Sequence, residues 1–139
     1  MDRRPRLLLI NPNTSASVTR LLSEAASAAL GNQVDITAVT APFGAPYITG
    51  EHSLAVAAHA TLEARERAMA ESGPFDACLI GCFGDPALQA LEELGAEPVT
   101  GLAEASMRIA ARRGPFAIVT GGQGWREPLR RLAFSIGLI

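Results

Sequence analysis

The sequence contains no lysine, and all 12 of its Lys+Arg residues are arginine. Without a lysine amine the chain cannot form a Schiff base, so catalysis by lysine-bound pyridoxal phosphate is excluded. A Walker-type phosphate loop is excluded as well, because its lysine contacts the nucleotide phosphates. The chemistry of this chain has to come from other side chains.

The chain also has little excess of positive or negative charge and no long apolar run. The formal net charge is −2, and the basic stretches at residues 3–6 and 112–113 are short, so we expect no nucleic-acid partner. The sequence has no apolar stretch of about 18 residues, which predicts no membrane span. The apolar run at residues 7–10 is too short for a signal-peptide core, and we expect a cytoplasmic protein.

The chain has few potential metal ligands of the soft kind, with Cys78 and Cys82 as its 2 cysteines and His52 and His59 as its 2 histidines. On one extended strand the two cysteine Cα atoms would lie about 13 Å apart at ~3.3 Å per residue. A disulfide needs less than about 7 Å, so we expect both thiols to be free. Because no Cys-x-x-Cys pair is present, we predict no metal site.

Apolar runs alternate with helical patterns along the whole chain. The predicted strands are residues 6–10, 34–40, 75–82, 98–101 and 116–120, and the predicted helices are residues 17–30, 51–71, 86–94, 104–113 and 125–134. This alternation predicts an α/β fold in which helices flank a parallel, flavodoxin-like sheet. Residues 41–50 form a long loop of the kind that often carries function.

Three predicted loops lie where a ligand would bind. In open parallel sheets, ligands bind beyond the carboxyl ends of the strands. Residues 11–15, 82–85 and 120–124 follow the first, third and fifth predicted strands, and each loop leads into a helix. Helix N-termini offer free N–H groups and a positive dipole end, so this rim suits a carboxylate or an amide-like anion.

Cys82 lies where the third predicted strand turns towards a helix. A thiol near a helix N-terminus has a lowered pKa, and a thiolate can act as a nucleophile or remove a proton from carbon. An inert core thiol is the alternative that stays open for Cys82. We predict that Cys78 is a core residue, and that Asp85, just before Pro86, caps the following helix.

Four segments together resemble the Asp/Glu/hydantoin racemase superfamily, and specifically its hydantoin and allantoin racemase branch. They are Ile-Asn-Pro-Asn-Thr-Ser at 10–15, Cys-Phe-Gly-Asp-Pro at 82–86, Pro-Val-Thr-Gly-Leu-Ala-Glu-Ala-Ser at 98–106 and Phe-Ala-Ile-Val-Thr at 116–120. The resemblance covers essentially the whole chain. It implies a racemase that needs no cofactor and acts on a small amino-acid derivative such as a hydantoin or allantoin.

The resemblance also implies an architecture and roles for single residues. Members have two α/β lobes; residues 1–101 resemble the first lobe, and residues 102–139 resemble the opening helix, strand and helix of the second. Two cysteines flank the substrate carbon in the family, and Cys82 matches the first of them. The positions that match substrate-binding residues are Asn13, Thr14, Ile48, Phe83, Gly84, Thr120 and Gly121. The family more often continues Thr120 with another threonine.

The sequence departs from the family in one respect that concerns activity. The second cysteine of the family, in a Gly-Cys-Ala-Gly type segment, has no match here. We therefore expect a truncated chain that does not racemise by itself, and we expect it to form a homo-oligomer. The alternatives are a single-cysteine decarboxylase of the same superfamily, a non-catalytic binding or assembly module, and a flavodoxin-like cofactor binder, which the glycine-free loop 11–15 disfavours.

Overall fold

The computed structural model describes residues 3–139 of the chain, and within that range helices alternate with strands. In chain order the elements are β1 (Arg6–Asn11), α1 (Ala16–Leu30), β2 (Asp35–Thr40), α2 (Glu51–Ser72), β3 (Ala77–Ile80), α3 (Leu88–Leu94), β4 (Val99–Gly101), α4 (Leu102–Ala111) and α5 (Arg126–Ser135). A short 3-10 turn, Gln123–Trp125, leads into α5. None of the helices in residues 3–139 combines the length and the apolar character that a bilayer span requires.

The strands form one parallel sheet in the order β2-β1-β3-β4. Leu8 on the inner strand β1 lies opposite Thr37 on β2 and Cys78 on β3. Parallel strands need crossover connections, and α1, α2 and α3 supply them. The predicted α/β fold, with a parallel sheet flanked by helices, is therefore confirmed.

The main core lies between the sheet and α2. On the sheet side, Leu8, Ile10 and Ile80 are fully buried. Most of the side chains that α2 buries are small, with Ala57, Ala60, Ala64 and Ala68 among them, and Arg65 is the large exception. Alanine is the best helix former and adds little bulk, so these residues stabilise the helix and also let it lie close to the sheet.

The first turn of α2 fixes the end of the long loop that follows β2. The Ser53 hydroxyl accepts hydrogen bonds from the backbone N–H groups of Thr49 (2.9 Å) and Gly50 (3.3 Å), and donates to the Gly50 carbonyl (3.1 Å). Free N–H groups at a helix start need such partners. The loop is therefore anchored where α2 begins.

Residues 116–120 are not a strand, contrary to the prediction. Phe116 and Ile118 are exposed, and the Val119 side chain is 98% exposed. A strand needs a hydrogen-bonded neighbour, and in residues 3–139 the sheet ends at β4, so nothing pairs with this segment. The apolar pattern at residues 116–120 indicates only a local preference for an extended backbone.

The segment that leads into α5 packs over the carboxyl end of the sheet. Trp125 is buried, and its ring lies against Gly84 so closely that a Cβ on Gly84 would come 3.0 Å from Trp125 Cη2. An ion pair between Arg131 and Glu51, 2.6 Å apart, also joins α5 to the start of α2. The C-terminal helix therefore covers the loop that carries Cys82.

Candidate active site at the carboxyl end of the sheet

The loops that follow β1 and β3 start side by side at one edge of the sheet. The Gly81 N–H donates to the Ile10 carbonyl (2.7 Å), and the Ala41 N–H donates to the Asn11 carbonyl (2.9 Å). These bonds extend the pairing of the strands just past their ends. Residues 11–15, the loop after β2 and residues 82–85 therefore begin next to one another, as predicted for the carboxyl ends of parallel strands.

Asn11 organises the loop at residues 11–15. Its side chain is 1% exposed, and its amide nitrogen lies 2.8 Å from Asn13 Oδ1, 3.0 Å from the Ser15 carbonyl and 3.0 Å from Thr19 Oγ1. Its side-chain oxygen accepts from the Asn13 N–H (3.1 Å). Asn13 Oδ1 in turn accepts from the Ser15 N–H (2.9 Å). The loop is held rigidly, which favours a precise position for any ligand group that Asn13 meets.

The long loop after β2 is tied to the same segment. The Thr14 N–H donates to the Ala45 carbonyl (3.1 Å), and the Ser15 hydroxyl donates to the Pro46 carbonyl (2.7 Å). Ser15 is the N-cap residue of α1, although its side chain makes no capping bond there. Ile48 is buried in the core next to this loop.

Cys82 begins a tight turn. Its carbonyl accepts from the backbone N–H groups of Gly84 (3.0 Å) and Asp85 (3.2 Å). The Cys82 side chain is half-buried, and Phe83 packs with it against the core. Cys78 lies deeper and is fully buried, as predicted, and both cysteines are free thiols.

Asp85 does not cap the helix that follows it, contrary to the prediction. The N-cap residue of α3 is Ala87. The Asp85 carboxylate instead accepts from the backbone N–H groups of Ala103 (2.9 Å) and Glu104 (2.6 Å), so it caps α4 across the sheet edge. Burial raises the pKa of Asp85 to about 6, while these two backbone donors lower it and the charge of Glu104 raises it.

The environment of Cys82 also differs from the prediction of a lowered pKa. Burial, with a smaller contribution from the negative charge of Asp85, raises the pKa of the Cys82 thiol to about 12. The helix that was expected to stabilise a thiolate starts only at Leu88 and spans 7 residues. At neutral pH the free chain therefore holds Cys82 as a neutral thiol.

Alkylation of Cys82 by iodoacetamide should consequently be slow in the folded chain. Since each unit of pKa changes the thiolate fraction about tenfold, we expect the rate at pH 8 to be about two to three orders of magnitude below that of the urea-unfolded chain. The rate should rise steadily from pH 8 to pH 11. Intact-mass spectrometry measures the alkylation rate of the folded chain in buffer and of the unfolded chain in urea. Equal rates at pH 8 would contradict a raised pKa of Cys82.

Thr120 and Gly121 lie in the irregular segment between α4 and α5. Both are exposed, and a Cβ on Gly121 would meet nothing within 4 Å. Thr120 lines a mostly apolar groove of about 660 Å³ together with Arg126 and Leu129 of α5, and neither residues 11–15 nor residues 82–85 line that groove. The structure therefore brings the loops of Asn13, Thr14 and Cys82 to one edge of the sheet. Thr120 lines a different groove, although its neighbour Val119 shares a small pocket with Phe83.

Sequence reasoning missed three contributors to this edge. The sequence places Asn11 and Gly101 in segments that resemble the family and Trp125 in a helix, but it assigns none of the three a contact at this edge. A Cβ on Gly101 would run into the Asp85 carboxylate, so this glycine makes the contact with α4 possible. Only the buried position of Asn11 at the end of an apolar run could have been suspected from sequence, since the other contacts are long-range.

The acidic, histidine and cysteine side chains of the described residues do not gather into a metal site at this edge. Within residues 3–139, His, Cys, Asp and Glu side chains form no group of three or more that could hold a metal ion. The groups available for chemistry here are the Cys82 thiol, the Asp85 carboxyl group, and the amide and hydroxyl groups of Asn13 and Thr14.

Comparison with known proteins gives consistent results. The family description "Asp/Glu/Hydantoin racemase" matches residues 7–138. The chain is 39% identical over 106 residues to the hydantoin racemase of Paenarthrobacter aurescens, which covers 76% of this chain and 44% of that protein. A second hydantoin racemase, from Pseudomonas sp. strain NS671, is 31% identical over 134 residues, covering 96% of this chain and 53% of that protein.

Solved structures match the fold over nearly all of the chain. The allantoin racemase from Klebsiella pneumoniae aligns with a TM-score of 0.87 and 39% identity, over 96% of this chain and 54% of that one. The chain thus spans about half the length of the relatives it matches.

Proposed function

Because the chain belongs to the Asp/Glu/hydantoin racemase family, we propose that it carries one of the two proton-transfer groups of a cofactor-independent racemase. The substrate class is a hydantoin, allantoin or related amino-acid derivative, in keeping with the names of its relatives. The observation that carries the proposal is the position of Cys82, a half-buried thiol at the carboxyl end of β3 beside the loop at residues 11–15.

The chemical step assigned to Cys82 is proton transfer at a carbon next to a carbonyl. As thiolate, Cys82 takes the α-proton; the S–H bond forms as the C–H bond breaks, and the electron pair passes to the neighbouring carbonyl as an enolate. In the reverse direction the thiol returns a proton to that carbon. Burial keeps the thiol protonated, so the thiolate is rare at neutral pH but strongly basic once formed.

The substrate would be held by groups around this thiol. We assign hydrogen bonding of the substrate to Asn13 and Thr14, whose loop is fixed by the buried Asn11. The backbone beside the thiol, at Phe83 and Gly84, would contact the reacting ring. Rigid positioning of this kind lowers the barrier by paying the orientation entropy before the reaction.

Further substrate contacts are assigned to three residues outside this loop pair. Ile48 would wall the pocket through the long loop after β2, in which it is buried. Thr120 and Gly121 would present polar groups from the opposite side, and the residue just before them, Val119, lines a small pocket together with Phe83.

Inversion of the carbon needs a proton carrier on each face. Cys78 is unsuited to the second face, because its side chain is 1% exposed and burial raises the pKa of its thiol to about 12. We therefore propose that this chain by itself exchanges the α-proton of a substrate and returns it to the same face.

The test is α-proton exchange in D₂O with the full chain. Enantiopure 5-substituted hydantoin and enantiopure allantoin are incubated separately, and ¹H NMR follows loss of the α-proton while polarimetry follows configuration. We expect exchange above an enzyme-free control with retention of optical rotation. An absence of exchange with both substrates would refute the proposed function, and exchange with loss of optical rotation above the enzyme-free control would refute the one-face mechanism.

A single-thiol decarboxylase is the second candidate, favoured by the protonated state of Cys82. A neutral thiol is suited to protonating a carbanion left by loss of CO₂, which needs a donor on only one face. This function predicts release of CO₂ from a disubstituted malonate in a pH-stat assay, with no exchange of hydantoin α-protons. The two functions are separated by which of these substrates reacts.

A further inference from the structure

The residue that follows the Cys82 turn has an unusual backbone conformation. Asp85 has φ of 46°, one of two positive values at non-glycine residues in the described chain; the other is at Ala87. The left-handed region is costly for residues other than glycine, although aspartate tolerates it better than most. Such a conformation persists where neighbouring contacts hold it in place.

The contacts that hold Asp85 are those with the start of α4. Its carboxylate accepts from Ala103 and Glu104, and Asp85 is 3% exposed. The absence of a side chain at Gly101, just before α4, leaves the space that the carboxylate occupies. A carboxylate at a helix N-terminus meets both free N–H groups and the positive end of the helix dipole.

The negative charge of the Asp85 carboxylate also acts on the Cys82 thiol and raises its pKa. On the loop of Cys82, Asp85 is the charged group that acts on the thiol. From α4, Glu104 acts on Asp85, and Glu104 is itself paired with Arg108 (3.0 Å) and bonded by Thr100 (3.2 Å). Asp85 is therefore coupled electrostatically both to the Cys82 thiol and to Glu104 of α4.

We propose that Asp85 is a positioning residue for Cys82, tying the thiol-bearing turn to the first turn of α4 through its carboxylate. The turn and the helix start then move as one unit, and the thiol keeps a fixed place beside the loop at residues 11–15. The catalytic part of this proposal rests on the proposed function. The part that concerns the position and ionisation of the Cys82 thiol can be tested without any substrate.

The experiment measures the pH profile of Cys82 alkylation in chains that carry Cys78→Ala, so that a single thiol reports. Asp85→Asn removes the charge and one strong acceptor from the helix start. We expect the profile to move to lower pH, with alkylation at pH 8 faster by about threefold or more, since a tenfold change in thiolate corresponds to one unit of pKa. Asp76→Asn is the matched control, because Asp76 is an exposed carboxylate at the opposite end of β3 and pairs with Arg3.

A second variant separates position from charge. Gly101→Ala keeps the Asp85 charge but places a Cβ against its carboxylate, so it should lower α-proton exchange by about tenfold or more. Circular dichroism establishes that each variant is folded at the assay temperature. A role confined to stability would lower the unfolding temperature and leave the alkylation profile unchanged.

The outcomes distinguish this proposal from the proposed function. If Asp85→Asn is folded and its Cys82 alkylation profile matches that of the parent chain, or if Gly101→Ala is folded and exchanges the α-proton at the parent rate, the positioning role is wrong. If the parent chain exchanges no substrate proton, the proposed function fails, while the alkylation profiles still decide whether Asp85 controls the thiol.

Discussion

Replacing Cys82 with serine should lower the rate of α-proton exchange by about a thousandfold, within the usual range for loss of a general acid-base group. A serine hydroxyl is close in size to a thiol but a much weaker acid, so it cannot form the base that removes the proton. Because Cys82 is only partly buried, the substitution should leave the fold intact. Exchange measured by ¹H NMR in D₂O, with the unfolding midpoint in urea as the check on folding, decides this.

Cys78→Ala is the matched control for this experiment. Cys78 lies four residues earlier, on β3, and its thiol is buried among core residues. Its removal should cost stability of about 1–2 kcal/mol, because a small cavity forms, but the exchange rate of the folded chain should stay within about threefold. Equal losses in both variants would show that exchange follows general stability, and an active Cys82→Ser would remove Cys82 from the mechanism.

The exchange rate should also depend on pH in a defined direction. Because the pKa of Cys82 is raised to about 12, the reactive thiolate becomes more abundant at every step from pH 7 to pH 10. Exchange catalysed by the parent chain should therefore rise across this range after the enzyme-free rate is subtracted. Cys82→Ser should show no such rise above the enzyme-free rate.

The sheet could be predicted from sequence because its signals are local. The continuous apolar run of β1 and the apolar β3 are typical of strands covered on both faces, and each is followed by a turn and a helical pattern. The segment at residues 116–120 carries the same local signal but has no neighbour among the described strands. A strand depends on its partner, and the identity of the partner is not contained in the segment.

The position of Cys82 could be predicted, but its ionisation could not. A helix N-terminus favours a nearby negative charge by about 0.3–1 kcal/mol, and up to ~2 kcal/mol in favourable geometry. The rise in the pKa of Cys82 from 9.0 to about 12 corresponds to about 4 kcal/mol in the opposite direction. Burial dominates, and burial depends on the whole fold, including the C-terminal segment that covers the Cys82 loop.

The contact of Asp85 with α4 could not be predicted from sequence either, because it also depends on the fold. Its nearest helix in sequence is α3, and an aspartate before a proline is an ordinary helix start. The helix that it caps begins at Leu102, beyond β4, and the contact needs the vacant side of Gly101. Loop residues that bond across a sheet edge cannot be assigned from spacing, because parallel strands bring together loops that are distant in the chain.

Replacing Glu97 with alanine should destabilise the chain by about 3–5 kcal/mol, the usual cost of removing one partner from a buried ion pair. Glu97 and Arg65 form a two-pronged pair, with Nε–Oε1 and Nη2–Oε2 distances of 2.7 Å. The exposed fractions of the two side chains are 6% for Arg65 and 2% for Glu97. Without Glu97 the Arg65 guanidinium would stay buried beside only one exposed carboxylate, and urea unfolding monitored by circular dichroism measures the loss.

The chain offers a matched control in Glu66, which pairs with the same arginine. The Glu66 side chain is 65% exposed and lies 3.1 Å from Arg65 Nη1. Because water screens exposed pairs, Glu66→Ala should cost less than about 1 kcal/mol. A cost of that size for Glu97→Ala as well would show that the buried pair does not hold α2 to the segment before β4.

A double substitution tests whether the cost comes from the unpaired charge. Removing both charges together, as Arg65→Met with Glu97→Leu, should recover most of the stability, since apolar residues of similar volume replace buried ion pairs with little or no loss. Recovery would also leave β4, and with it Gly101 and the Asp85 contact, in place. The double variant should then retain the slow alkylation of Cys82, whereas Glu97→Ala should speed it as the loop before β4 loosens.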